Sequence, residues 1–510
     1  MTLRTRYSMQ SAAASIAALS LIASACGSGG SVTKVASQDA ETASSSPVTI
    51  ATDLAIASLD PTNSTDTEEL QTVFDPLVGV NASAGVVPDL ATSWTVNSTG
   101  TVWTFNIRHG VHFQNGSLLT PSDVTFTVNQ IISNPKSIVQ SYVANIKSVA
   151  NLGAHQVVFT LKEPDAGFLA DDVSFIYIVP EAAYKSMGAT RFALHPVGTG
   201  PYEVTKMTSG ISLTLKAFPN YWDGPAKIKN VTYEYIADET TRINGIQSGS
   251  VNAAVVSTEG AQALGATSGV VLRKSVSGKT AYLGLDVRTA PLESLDLRRA
   301  ISDAIDRSAL TDALLAHGGT PTDQMLAPPV LGYDAAIKTP SQDLTKAKAL
   351  VKASGYSGQV IPFEYPVGSY VAQGSEVAQA VAADLSGIGI KTSLVALQFS
   401  TFLSDFFGKS LQGISLFAFA TNTAASEYQL LDSAAPFDDA RVDALFTQQA
   451  ATTNASKRLK LLQAIDLEYN KQAYFVPLYA VINTYVTTKH LSIVPRVDGQ
   501  LLPYEMGYVS

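Results

Sequence analysis

His109 and His112 stand three residues apart in Arg108-His109-Gly110-Val111-His112, a spacing at which two imidazoles can share a metal ion. A metal site of that kind needs further ligands. No cysteine or carboxylate cluster lies beside the pair, so a structural or solvent-exposed role is expected of both. His155, His195, His317 and His490 are scattered. For nucleophilic chemistry the chain offers no Gly-x-Ser-x-Gly elbow, and Ser31-x-x-Lys34 stands without the companion motifs of a serine acyltransferase site. Gly198-Thr199-Gly200 invites comparison with a phosphate cradle. It is followed by Pro201-Tyr202 and not by the lysine-serine/threonine pair such a loop needs, so a tight turn entering a strand is expected. Cys26 is the single cysteine, which leaves no intrachain disulfide to form. These residues predict no enzyme, no metal site and no cofactor.

The surroundings of Cys26 are informative in another way. Arg4 and Arg6 precede an apolar, small-residue run from Ala12 to Ala23, too short for a permanent membrane anchor. It closes on Ala23-Ser24-Ala25-Cys26-Gly27, which resembles a bacterial lipoprotein signal. That resemblance implies a signal peptide over 1–25, cleavage before Cys26 and a lipid on its thiol. Residues 26–47 are Gly, Ser, Ala and Thr with almost no large apolar residue, a composition that reads as a flexible tether. The remainder has the makings of a well-packed body, since 46% of the chain is hydrophobic and only 15% charged. A net charge of −9 without basic clusters argues against nucleic acid as a partner. No second run is long and apolar enough to span a bilayer.

The elements that would position a site begin with Pro88 to Thr127. Trp103, Phe105 and Ile107 alternate with Thr104, Asn106 and Arg108, the period of a strand with one buried face. Asn97-Ser98-Thr99-Gly100 supplies the turn from the preceding Ser93–Val96 segment. Thr120-Pro121-Ser122-Asp123 provides a helix start. Order and spacing here resemble the signature of the peptide/nickel class of extracytoplasmic solute-binding proteins of ABC importers (family 5, with its oligopeptide- and dipeptide-binding members). The residues carrying it are Pro88, Asp89, Leu90, Ala91, Ser93, Trp94, Thr104, Phe105, Arg108, Gly110, Val111, Phe113, Asn115, Gly116, Asp123 and Val124. Gln114-Asn115-Gly116 replaces the family's histidine-aspartate-glycine.

Further elements match in order. They are Phe74-Asp75-Pro76-Leu77, Gly198 to Tyr202, Asn220-Tyr221-Trp222, Tyr282 to Asp286, Leu297 to Arg307, Asp343 to Tyr356 and Tyr474 to Tyr479. Thr67 to Leu77 reads as a helix, and Ile211, Leu213 and Leu215 as one strand face. The charged members of the Leu297–Arg307 helix are expected in surface or capping pairs. Val360–Tyr365, Ser375–Leu385 and Ile390–Leu397 alternate strand and helix, which predicts a mostly parallel sheet.

The resemblance implies an α/β, two-lobed, periplasmic-binding-protein-like fold of class II type. An extra subdomain in the first lobe, mixed β-sheets flanked by helices and a hinge between lobes complete it. The expected division is a first lobe over 48–284 with an inserted subdomain at about 77–193, a second lobe over 285–480, and a return to the first lobe over 481–510. The implied function is a lipid-anchored, extracytoplasmic binding subunit that delivers a peptide or related solute to ABC permease and ATPase subunits. A non-peptide solute such as a sugar conjugate or metal chelate is the alternative, and an extracytoplasmic hydrolase a more distant one. In peptide-binding members, an aspartate after a tryptophan-containing strand pairs with the ligand's ammonium. Here that region reads Phe417-Ala418-Phe419-Ala420-Thr421-Asn422-Thr423, lacking both. Either Glu364 or Glu427 substitutes, or the ligand lacks a free cationic end. The expected ligand-binding set is Tyr177 from the first lobe with Glu364, Tyr370, Phe419, Thr421 and Asn422 from the second.

Overall fold

The computed structural model describes residues 46–65, 67–264, 269–368, 371–419 and 439–509. Cys26, Tyr370, Thr421, Asn422 and Glu427 lie outside them, and of Phe419 only the backbone is described. The spine is an eleven-stranded mixed sheet. From one edge its strands are Lys391–Leu397, Val360–Pro366, Ile414–Phe419, Val270–Leu285, Phe475–Thr488, Ala253–Val256, Val48–Thr52, Asn230–Tyr235, Ser212–Ala217 and Tyr202–Thr208. Gly319–Pro321 joins separately on Phe475–Thr488.

The two long central strands, Val270–Leu285 and Phe475–Thr488, run antiparallel and serve both lobes. Val270 to Val276 pair with Thr488 to Ile482, and Thr280 to Gly284 with Ala480 to Phe475. Between these stretches the register shifts at Ser277-Gly278-Lys279, an irregularity of the kind that bends a strand pair. On the first-lobe side of that shift Phe475–Thr488 takes Ala253–Val256 as neighbour. On the second-lobe side Val270–Leu285 takes Ile414–Phe419. The sheet therefore consists of two halves joined by one bulged strand pair. In the second lobe Lys391–Leu397, Val360–Pro366 and Ile414–Phe419 are mutually parallel, while Gly319–Pro321 and the two strands that leave for the first lobe pair antiparallel.

Each lobe packs its own apolar side chains. Ile50, Val73, Phe74, Tyr202, Leu213, Tyr233 and Tyr485 centre the first. Leu283, Leu297, Ile301, Phe363, Val381, Ile414 and Val476 centre the second. A third cluster belongs to a four-stranded antiparallel sheet ordered Ala91–Val96, Val102–Ile107, Gln156–Leu161, Ile146–Asn151, with the helix Pro121–Ile132 beside it. The alternation read from sequence is visible there, with Trp103, Phe105 and Ile107 all buried. The Asn97 carboxamide oxygen accepts from the backbone of Thr101 and Val102, and Gly100 closes the turn at φ 73°. The Pro121 helix starts with the Asp123 carboxylate accepting from the backbone and hydroxyl of Thr120.

Three local expectations change. The helix from Thr67 ends at Val73, short of Leu77. Ile211 is exposed and precedes its strand, whose buried face is carried by Leu213, Leu215 and Ala217. Arg298 and Arg307 are buried instead of lying at the surface, and Arg307 is ion-paired with Asp323 at 3.3 Å. Arg298 donates to the Leu292, Glu293 and Gln472 carbonyls, and Arg307 to those of Pro477 and Ser302, so each guanidinium ties its helix to the chain returning from Gln472. Asp306 does cap, accepting from the backbone of Ala309.

Candidate functional site

Two cavities lie along the line where the lobes meet. The larger, about 650 Å³, is walled by all three bodies of chain that converge there. The first lobe contributes Ala51 to Ile56, Thr65, Thr67 to Glu69, Glu239, Arg242 and Val255 to Glu259. Lys279 and Val481 to Thr484 come from the crossing strands, and Leu315, Gly318, Val371 to Gln373, Ala418 and Tyr479 from the second lobe. A second cavity of about 430 Å³ lies between the first lobe, the four-stranded insertion and the Pro329-Val330 loop. Asp498 and Gln500 line both, and the bulge separates them, with Lys279 on one side and Gly278 on the other. Volumes of this size suit small organic solutes.

The larger cavity is acidic. Among the described residues, Asp53, Glu68, Glu69, Glu239, Glu259 and Asp498 line it together with Arg242 and Lys279. Arg242 donates to the Ile236 and Ala237 carbonyls, with Glu239 at 3.8 Å. Glu239 accepts from the backbone and hydroxyl of Ser257. Burial holds Glu68 well above the usual carboxylate range, and the charges of Glu69, Asp498 and Asp53 push the same way against a backbone hydrogen bond from Leu501. Burial lowers the Lys279 ammonium, and Asp53 opposes that shift.

The lobes touch beside this cavity. Gln373 donates to Glu259, and the Gln262 carboxamide to the Ala316 carbonyl at 3.0 Å. A separate contact joins the insertion to the second lobe, where the Ala166 amide donates to Ala450 at 3.0 Å.

The second cavity holds an aromatic and carboxylate group. Asp75 accepts from Trp222 Nε1 at 2.9 Å and from the Tyr221 hydroxyl at 3.2 Å. The Arg108 guanidinium lies 4.1 Å over the Trp222 ring. Burial nevertheless pushes Asp75 up to about 6, and Asp223 adds to the shift. The native state thus holds a proton that the unfolded chain, with a carboxyl near 3.8, releases between about pH 4 and pH 6. Stability should fall as pH rises through that interval and be level above it, by up to about 3 kcal/mol from this group. Asp75→Asn should flatten that slope while keeping an acceptor for Trp222. Urea unfolding at pH 4.5 and pH 7 checks this, and parallel profiles for the two proteins would contradict it.

Of the expected ligand-binding residues, Tyr177 is packed in the first-lobe core, bridges Pro76 through its backbone and lies on the wall of the second cavity. Glu364 stands away from both cavities. Its carboxylate accepts from the Gln412 backbone at 2.9 Å, and it lies on the strand face opposite to the core residues Phe363 and Tyr365. These two are therefore not brought together. Phe419 pairs by backbone with Thr280, one residue beyond the cavity-lining Ala418, and Tyr370 precedes the cavity-lining Val371. Glu68, Asp53, Asp498 and Tyr479 escaped sequence reasoning. Thr67-Glu68-Glu69 looks like ordinary acidic residues in a first helical turn, and only the return of the chain at Asp498 turns them into a wall. Among the described residues no group of histidine, cysteine or carboxylate side chains is arranged to hold a metal ion. His109 lies against His155, with ring centroids 3.7 Å apart and the rings tilted by 37°.

Comparison with known proteins places the chain among its relatives. Residues 85–456 match the family model described as bacterial extracellular solute-binding proteins, family 5 middle. The glutathione-binding protein GsiB of Shigella boydii is 25% identical, covering 84% of this chain and 88% of that protein. Di/tripeptide-binding protein 2 of Pseudomonas aeruginosa is 26% identical over 68% of this chain and 71% of its own. The fold is shared with the ABC transporter substrate-binding protein CtaP of Listeria monocytogenes, at a TM-score of 0.82 and 20% identity, covering 91% of this chain and 99% of that one.

Proposed function

The chain belongs to the bacterial extracellular solute-binding proteins of family 5, and from that premise we propose that it serves an ABC importer as the subunit that captures a peptide or related solute between its lobes. The observation that carries this reading is the cavity walled by both lobes and floored by their bulged connecting strands. Such an arrangement binds by closing: the bulged pair takes up the rotation, and each wall brings half of the contacts. The closed complex is then the form presented to the permease. No covalent step is required, and the protein acts by binding and release.

The lobes proposed for this action are residues 48–284 and 285–480, with the insertion at about 77–193 and a return over 481–510. In support, the register shift at Ser277–Lys279 falls near the first of these limits. Tyr370, Phe419, Thr421 and Asn422 remain proposed ligand contacts on the second lobe, supported by Val371 and Ala418 on the cavity wall. Cys26 is proposed to carry the lipid that holds the protein outside the cytoplasmic membrane, supported by the Ala23-Ser24-Ala25-Cys26-Gly27 sequence. Peptides are the first solute class to test because relatives carry names for di/tripeptide and glutathione binding. A sugar conjugate or a metal chelate is the second.

The test is thermal shift with a pool of short peptides, free and blocked at the amino terminus, followed by small-angle scattering with whatever stabilises. A binding solute should raise the melting temperature by several degrees and shrink the radius of gyration. Scattering that stays unchanged at saturating solute would refute closure. A co-purified non-peptide mass, with no response to peptides, would move the assignment to the second solute class.

A further inference from the structure

We propose that the insertion and the second lobe carry a latch of their own, in which Asp165 and Asp171 of the insertion receive Arg458 of the second lobe and hold the two surfaces together even without solute. It rests on the lobe movement proposed above but not on either cavity, since none of the three residues lines one. The turn Asp165-Ala166-Gly167 lies against the connection between two second-lobe helices, Ala440–Ala450 and Ala455–Gln472. The Ala166 amide donates at 3.0 Å to Ala450, one of the carbonyls left open where the first of these helices ends. Arg458 stands in the opening turn of the second helix, where the dipole also favours carboxylates. The contact is thus complementary at both helix ends, a donor meeting the carbonyl end and carboxylates meeting the amide end.

The surroundings of Gly167 show how near the charges are. A Cβ there would overlap the Asp171 carboxylate and lie 3.2 Å from both Arg458 Nη2 and Asp165 Oδ1, so glycine lets charged groups from two lobes converge on one point. Arg458 is 9% exposed. Its Nε donates to Gln449 at 3.1 Å, whereas Nη2, also buried, has no hydrogen-bond partner among the described residues. A buried guanidinium arm without a partner is uncommon, and a small further approach of the lobes brings it onto the carboxylates beside Gly167. Burial lowers the proton affinity of Arg458, and the charges of Asp171 and Asp165 oppose that shift. On the insertion side, burial and the same two aspartates push Asp172 well above the usual carboxylate range, a like-charge repulsion that a cation from the other lobe relieves.

Hydrogen exchange resolved at single amides of the purified, solute-free protein tests this, because the Ala166 amide is protected while the insertion and the second lobe touch. The Ala170 amide, which donates to Gly167 within the insertion, is the local reference. Arg458→Gln should speed exchange at Ala166 by about tenfold, the worth of one hydrogen bond to a charged group, and leave Ala170 unchanged. Should that variant fail to fold, Asp165→Asn with Asp171→Asn, at half-buried positions, gives the same readout. All three changes together should add little to either set alone. Raising sodium chloride from about 0.05 M to about 0.5 M should speed exchange at Ala166 more in the parent protein than in the variants. Equal exchange at Ala166 in the parent and the variants would overturn the latch, and closure of the lobes by the peptide pool would then leave solute capture standing. Equal acceleration at Ala170 would reduce the contact to local packing and overturn the latch as well. Exchange at Ala166 as slow as in the core strand Val102–Ile107 in every protein would mean that the lobes never part, and would overturn the latch together with closure.

Discussion

Arg496→Met should lower the free energy of unfolding by about 3–5 kcal/mol, the range found when one partner of a buried ionic network is removed. Arg496 is 1% exposed. Its guanidinium donates to Asp498 through Nε at 3.0 Å and Nη2 at 2.7 Å, to Glu505 at 2.9 Å and to the Val80 carbonyl at 3.1 Å. Its backbone carbonyl accepts from Ser275, Asn483 and Tyr485, which lie on the two crossing strands. One residue therefore joins the insertion, the C-terminal segment and the strands connecting the lobes. The two carboxylates hold its proton more firmly than usual despite burial. Methionine would fill much of the space but leave Asp498 and Glu505 facing each other without a cation. Urea denaturation measures the loss, and the triple variant with Asp498→Asn and Glu505→Gln should recover part of it. A loss below about 1 kcal/mol would mean that water screens the network as it screens surface pairs. Since Asp498 also lines the larger cavity, solute affinity should fall in the same variant.

Gly200→Ala should be nearly as damaging, costing about 3 kcal/mol, in the upper range for overpacking of a close contact. A Cβ on Gly200 would lie 2.5 Å from the Val73 carbonyl carbon and 2.7 Å from the Phe74 nitrogen. These are backbone atoms at the end of the Thr67–Val73 helix, where the Gly200 amide donates to the Val73 oxygen at 3.0 Å. A Cβ on Gly198 would overlap that same Val73 carbonyl oxygen. The glycine pair is thus demanded less by turn geometry than by a loop lying against a helix end. Gln114 secures the contact, donating to the Val73, Gly200 and Tyr202 carbonyls and accepting from the Gly198 amide. Loss of several degrees in melting temperature is the readout for Gly200→Ala, and a melting curve superposable on that of the parent protein would contradict it.

Legibility from sequence followed the range of the interactions concerned. The Trp103–Ile107 strand and the Thr120 cap depend on neighbours within a few residues, and periodicity and turn chemistry revealed both. Gln114 looked like a mild departure from a motif, because its partners lie at Val73 and Tyr202. Arg298 and Arg307 looked like surface charges because a helical face does not record that carbonyls from Leu292 and Pro477 converge on it. The acidic wall was the least legible feature. Its members come from Asp53, Glu68 and Asp498, which only the completed fold brings together, and each alone has the sequence context of an exposed carboxylate. Glu364 was suggested by the need for a carboxylate in the second lobe, but strand alternation turned it to the other face.

The order of strands in the central sheet also bears on how the molecule is made. Val270–Leu285 carries the chain out of the first lobe and Phe475–Thr488 carries it back as a hydrogen-bonded neighbour. Everything between is therefore a loop whose ends are already closed on each other. Yet Tyr485, Leu491, Leu501 and Met506 belong to the first-lobe core. The first lobe, begun first in synthesis, is completed last, with its core open until the segment carrying Leu491, Leu501 and Met506 arrives. Its partner, supplied with nearly all of its own strands by then, can fold ahead of it, so loss of the C-terminal tail would strike the lobe that carries the N-terminal strand.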